Sequence, residues 1–168
     1  DNQCRTPHLD EERIKKLFIS AVNKLLSERD EILGNFELIK ATVFDTTDLE
    51  NEQSELQSEI EVVAGMIQQA ISENAHLALD QAEYQARYNA LVERFELAKA
   101  RHTAVTEEIT DKQTRLSTMN AFLYTLRKQD NLLTDFDKKL WCSLVDYATV
   151  YDKNDVRFTF KDGTEIQA

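Results

Sequence analysis

The sequence predicts a mainly α-helical protein: a long antiparallel coiled-coil hairpin projecting from a small base of helices and a C-terminal β-hairpin. Three observations carry this reading. Between Thr47 and Arg127, core-type residues recur at alternating spacings of three and four over many heptads, the signature of a coiled coil. The 168 residues include only three glycines and one proline, and 30% are charged, a composition that favours long helices over a compact α/β fold. Only after Tyr147 does the pattern change to the period of two that marks strands.

In chain order, Asp1 to His8 shows neither a cap nor a periodic pattern. Cys4 and His8 have the spacing of two metal ligands, or they are ordinary residues; a structural zinc site needs about four ligands. Asp10 is a candidate N-cap for a helix to about Leu26, with Ile14, Leu17, Phe18, Ala21, Val22, Leu25 and Leu26 on one apolar stripe. Ser27 either breaks or kinks the helical run. As a cap it would precede a first turn rich in acids (Glu28, Asp30, Glu31), which suits the helix dipole. The following helix carries Ile32, Leu33, Phe36, Ile39, Lys40 and Val43.

Asp45-Thr46-Thr47 caps the first arm of the hairpin, with Thr47 and Glu50 at capping-box spacing. Along that arm Leu49, Leu56, Val63, Ala70 and Leu77 form one seven-residue series, and Gln53, Ile60, Ile67 and Asn74 the other. The turn falls near Ala78 to Gln81, and Asp80 with Glu83 reads as a second capping box. In the second arm Tyr84, Leu91, Ala98, Val105, Lys112, Met119 and Leu126 form one series. Tyr88, Phe95, His102, Ile109, Leu116 and Leu123 form the other. So short a loop requires the arms to run antiparallel, pairing Leu77 with Tyr84, Ala70 with Leu91, Val63 with Ala98 and Leu56 with Val105. The second arm is the longer, so Leu116 to Leu126 needs another partner. The helices before Asp45 are the natural one.

The polar run Lys128 to Asn131 ends the coiled coil. Thr134 with Asp137 is expected to cap a short helix through about Val145, burying Phe136, Leu140, Trp141, Leu144 and Val145. Tyr147 to Tyr151 and Val156 to Phe160 read as strands around the turn Asp152 to Asp155. Asp162-Gly163 is a second turn signal, and Thr164 to Gln167 a short third strand. The organisation is therefore residues 1–9, 10–45 as base helices, 46–128 as the hairpin, and 129–168 as short helix plus β-hairpin of the base.

Net charge is −11, so the chain has no electrostatic reason to bind nucleic acid by itself. There is no apolar run long enough to span a membrane and no visible signal peptide. Cys4 and Cys142 make no disulfide framework, and a cytoplasmic location is the default expectation. His102, Asn74 and Lys112 occupy core positions and read as polar groups that fix register. Glu50, Glu52, Glu55, Glu59 and Glu61 read as solvated helix surface, and Trp141 and Cys142 as core. No nucleophile–base set and no phosphate loop is present, so this chain is not expected to be an enzyme or to carry a cofactor. The candidate contact surface is the tip, where His76, Leu77, Leu79, Tyr84 and Tyr88 cluster; leucine and tyrosine at an exposed end are enriched at interfaces.

Both ends carry a family resemblance. Cys4-Arg5-Thr6-Pro7-His8-Leu9, leading into Asn23-Lys24-Leu25-Leu26, resembles the exit from the zinc β-ribbon of large serine recombinases, the phage-integrase and transposon-resolvase type. Leu140-Trp141-Cys142-Ser143-Leu144-Val145-Asp146, Val150-Tyr151 and the run Val156 to Ile166 are similar to the C-terminal end of the same enzymes. The resemblance implies a coiled coil that mediates contacts with other recombinase subunits in synapsis and helps control the direction of recombination. It implies that Cys4 is the last zinc ligand of a site whose other ligands, like the catalytic serine and the DNA-binding domains, lie upstream. Residues 1–9 would then be the remnant of the zinc ribbon, and zinc would belong to the full-length parent. The alternative is a coiled-coil spacer or scaffold unrelated to DNA.

Overall fold

The computed structural model describes residues 9–168. It is mainly helical with a small antiparallel sheet: α1 (Glu11–Ser27), α2 (Arg29–Val43), α3 (Thr47–His76), α4 (Gln81–Lys128), α5 (Lys138–Leu144), β1 (Val145–Val150), β2 (Val156–Phe160) and β3 (Glu165–Gln167). Two compact units form. One gathers the residues up to Val43 and those from Thr114 onward; the other is Phe44–Gln113. Helix α4 supplies residues to both.

The first unit is built on α1. Asp10 caps it by accepting from the Arg13 backbone N–H at 2.7 Å, and Phe18, Ala21, Val22 and Leu25 bury its inner face. The sheet has the order β1-β2-β3, antiparallel throughout. Alternation along β2 sends Val156, Phe158 and Phe160 into the core, as the period of two requires. An aromatic cluster joins these layers. The Phe18 ring lies 5.1 Å from Trp141, 5.5 Å from Phe136 and 6.2 Å from Phe158, within the range of favourable edge and tilted packing.

Polar side chains then bind distant segments of this unit together. Asn23 donates to the Leu133 carbonyl at 3.0 Å and accepts from the Leu133 N–H at 2.8 Å. Both partners of a backbone amide are thereby satisfied by one side chain. Arg29 donates to the Gln129 carbonyl, Lys24 to the Gln167 carbonyl, and Arg127 pairs with Glu37. Phe122, Leu123 and Leu126 of α4 are buried in this unit. Gly163 closes the β2–β3 turn at φ +89°, a conformation glycine adopts without steric cost.

Several local expectations are corrected. Ser27 does not cap α2: it is the last residue of α1, its hydroxyl turned back to the Lys24 carbonyl at 2.6 Å, and the break falls at Glu28. Thr47 is already helical, so it forms no box with Glu50; Asp45 accepts from the Thr47 N–H at 2.9 Å, and the Thr46 hydroxyl reaches Glu50. Asp137 alone caps α5, accepting from Lys139 and Leu140 N–H groups, while the Thr134 hydroxyl bonds Asp135. Val145 is the C-cap of α5, its N–H still donating to the Trp141 carbonyl, but its extended backbone pairs with Phe160 and opens β1. The short third strand expected at Thr164 to Gln167 is present as β3, so the C-terminal β-hairpin is part of a three-stranded sheet.

Candidate functional site

The candidate site lies in the unit Phe44–Gln113. The heptad series predicted there are its inward faces. Val63, Ala70, Ala98, Val105 and Ile109 are buried; Leu49, Gln53, Leu56, Ile60, Ile67, Asn74, Tyr84, Tyr88, Leu91, Phe95, His102 and Lys112 are half-buried. Side-chain bonds link α3 to α4 in descending order: Gln53 donates to Thr106 at 2.8 Å, Arg101 pairs bidentately with Glu52, Arg94 pairs with Glu59, and Arg87 pairs with Glu73 at 3.0 Å. Partner numbers rise on one helix as they fall on the other, as oppositely directed helices demand. Lys112 turns its ammonium out of the seam to the Asp45 carbonyl at 3.1 Å, which satisfies the charge at a core-register position.

The Glu52–Arg101 pair is the best formed. The Arg101 guanidinium holds the Glu52 carboxyl below its ordinary range, chiefly through the hydrogen bond. A depressed carboxylate contributes stability above its unfolded-state pKa and loses it as pH falls through the folded value. Glu52→Gln is therefore expected to melt below the native chain at pH 7. The gap should close on acidification below about pH 4. Melting curves of the two chains across that range test it; a gap independent of pH would mean the pair contributes nothing.

The tip is rearranged relative to expectation. Asp80 caps α4, accepting from the Ala82 and Glu83 N–H groups at 2.8 and 3.0 Å. Leu77 is not paired with Tyr84 in the seam. It terminates α3 in extended conformation (φ −123°, ψ 145°) and is 59% exposed, because the helix ends at His76 and a strand-like residue leaves the heptad geometry. Leu79, which lies outside the seam register, is half-buried and lines a shallow groove with Glu73, Asp80, Glu83, Tyr84 and Arg87. Tyr84 and Tyr88 are half-buried with ring centroids 5.9 Å apart. His76 is exposed, with Nδ1 2.8 Å from the Ser72 carbonyl. The apolar group the tip offers to solvent is thus Leu77, which register reasoning had assigned to the seam.

Cys4, the expected zinc ligand, and the expected zinc-ribbon remnant, apart from Leu9, lie outside the described residues. Among the described residues no cluster of three or more His, Cys, Asp or Glu is arranged to hold a metal. Cys142 is exposed, not core, because α5 turns Leu144 inward instead. Among the described residues no helix is long and apolar enough to cross a membrane.

The geometry defines a mainly helical protein with ion pairs between α3 and α4 and a small antiparallel sheet. Compared with family models, curated proteins and solved structures, the chain matches none.

Proposed function

We propose that this chain is the coiled-coil interaction module of a serine site-specific recombinase. In this reading α3 and α4 form a long antiparallel coiled-coil hairpin. Its tip contacts other recombinase subunits during synapsis and control of direction. DNA is bound and cut by domains upstream, where zinc is also held, with Cys4 as a ligand.

The observation that carries the reading is where the resembling residues lie. Leu140 to Ile166 folds as one α5–β1–β2–β3 element, and its Trp141 and Phe158 pack on Phe18 of α1. The helix containing Asn23-Lys24-Leu25-Leu26 and the C-terminal run, distant in sequence, thus share one core, as two parts of one recombinase base would. The charge supports the tip as a protein contact and not a DNA contact: within 44–113 fifteen acids face five Lys and Arg, and phosphate contacts need the reverse.

The test is Leu77→Glu in the intact recombinase. Its side chain is exposed, so melting and DNA binding should stay unchanged, while pairing of two DNA-bound dimers should fall by roughly tenfold or more. Unimpaired synapsis, with the tip also replaced by a short turn, overturns the reading. A coding sequence upstream without further cysteines or a serine recombinase domain does so as well.

A further inference from the structure

One side of the Phe44–Gln113 unit carries more apolar surface than a solvated coiled coil needs. The ion pairs Glu52–Arg101, Glu59–Arg94 and Glu73–Arg87 all lie on this side of the seam. The carboxylates stand in one row along α3 at seven-residue steps, the guanidiniums in one row along α4. The step between Glu59 and Glu73 is Met66, where the charged row is interrupted by an apolar residue. Outside the rows, the adjoining helical positions carry Glu55, Val62 and Gln69 on α3 and Glu83, Ala90, Leu97 and Ala104 on α4, so the apolar stretch is bounded by acids. Val62 is 53%, Met66 40% and Leu97 67% exposed. The bonds Gln53–Thr106, Glu73–Arg87, Glu52–Arg101 and Glu59–Arg94 bracket the register: Val62 is level with the stretch from Leu91 to Ala98 on α4, which contains Leu97. The opposite side of the seam has no such rows. There the flanking residues are Gln57, Ala64 and Ile71 on α3 and Gln85, Val92, Lys99 and Thr106 on α4.

We propose that this face binds the same face of a second copy of the chain, with the two pairs of helices parallel. Charge selects both the partner and the direction. A two-fold axis along the helices places the carboxylate row of one copy against the guanidinium row of the other, and Val62 against Leu97. A two-fold axis across the helices places carboxylates on carboxylates and guanidiniums on guanidiniums, which repel. An isologous contact of this kind needs a patch complementary to itself, and a row of acids beside a row of arginines is one. Each arginine can serve two carboxylates, because a guanidinium has five donors in a planar fork. The interrupted row at Met66 gives the contact a desolvated centre inside a charged rim. The patch is narrow, so the dimer is weak, with Kd on the order of micromolar. It does not depend on the recombinase reading, and its centre at Met66 and Leu97 lies away from Leu77, although the row ends at the Glu73–Arg87 pair beside the tip groove.

The test is sedimentation equilibrium of the full chain over a wide concentration range. The native chain is expected to dimerise with a micromolar Kd. Leu97→Glu and, separately, Met66→Glu should abolish dimerisation with unchanged melting of the monomer, since both side chains are exposed. Leu77→Glu at the tip should leave it intact. For direction, Val62→Cys and Leu97→Cys chains, with Cys4 and Cys142 changed to serine, are mixed and oxidised. The mixed disulfide is expected; disulfides formed only between two Val62→Cys chains overturn the parallel arrangement. A chain that stays monomeric at about 1 mM, or dimers that survive both glutamate substitutions or are lost in Leu77→Glu, overturn the proposal.

Discussion

Replacing Phe18 with alanine is expected to cost the base unit about 3–5 kcal/mol of stability. Phe18 is fully buried and sits where α1, the segment before α5, α5 itself and β2 converge: its ring is within 5.1–6.2 Å of the Trp141, Phe136 and Phe158 rings. Deleting it removes the transfer free energy of a whole aromatic side chain and leaves a void bounded by three rigid rings. Rings held by three separate elements cannot all move inward, so the cavity stays largely open. Trp141 is the only tryptophan, so its fluorescence reports on this unit alone. Denaturant unfolding followed by that fluorescence should shift to markedly lower concentration. Phe18→Leu, which refills part of the space, should recover a good part of the loss. An unshifted tryptophan transition would mean that the cluster is not the centre of this core.

The second large effect is expected in the paired helices. Val105→Asp should destabilise them by roughly 4 kcal/mol near neutral pH. Val105 is fully exclosed from solvent, at 0% exposure. The neighbouring polar pair across the helices, Gln53 with Thr106, is bonded to itself and does not stand ready to receive a carboxylate. The aspartate would lower its cost by binding a proton, which predicts a smaller penalty at acid pH. Ala104→Asp on the exposed neighbouring position controls for helix propensity and for adding one more acid, and should cost well under 1 kcal/mol. Helix content measured by circular dichroism during melting separates them. Equal melting of the two variants would mean that Val105 does not face α3.

Much of the helical organisation was legible from spacing because a heptad is local. Whether a residue points inward along a helix depends on its phase, and phase accumulates from the chain itself. That is why the members of both seven-residue series from Leu49 to Asn74 and from Tyr84 to Lys112 are buried or half-buried. Asp10 and Asp80 were legible as caps for the same reason: a short carboxylate beside the first free N–H groups acts within three residues.

Where several short polar side chains compete, spacing alone misled. Thr134 and Asp137 have box spacing, yet Asp137 holds both N–H groups of α5, because a carboxylate is the stronger acceptor and reaches them directly. Leu77 continues the seven-residue series in sequence, but α3 ends one residue earlier, and phase has no meaning beyond a helix end. Leu79 is half-buried for the complementary reason: the turn brings it into the same groove as Tyr84 and Arg87. Phe122 was missed because it is outside both heptad series. It is buried in the unit that gathers the base helices, where α4 is enclosed on more than one side.

By itself the sequence determined the helical class, the phase of α3 and α4, the strand pattern after Tyr147 and the concentration of acids between Phe44 and Gln113, because each follows from neighbours a few bonds apart. Only the tertiary structure decided the meeting of Phe18 with Phe136, Trp141 and Phe158, the clasp of Asn23 on Leu133, and the alignment of Glu52, Glu59 and Glu73 with Arg101, Arg94 and Arg87. These contacts join residues separated by 14 to 140 positions. Their free energy depends on which distant surfaces the folded chain brings together, and no local rule carries that information.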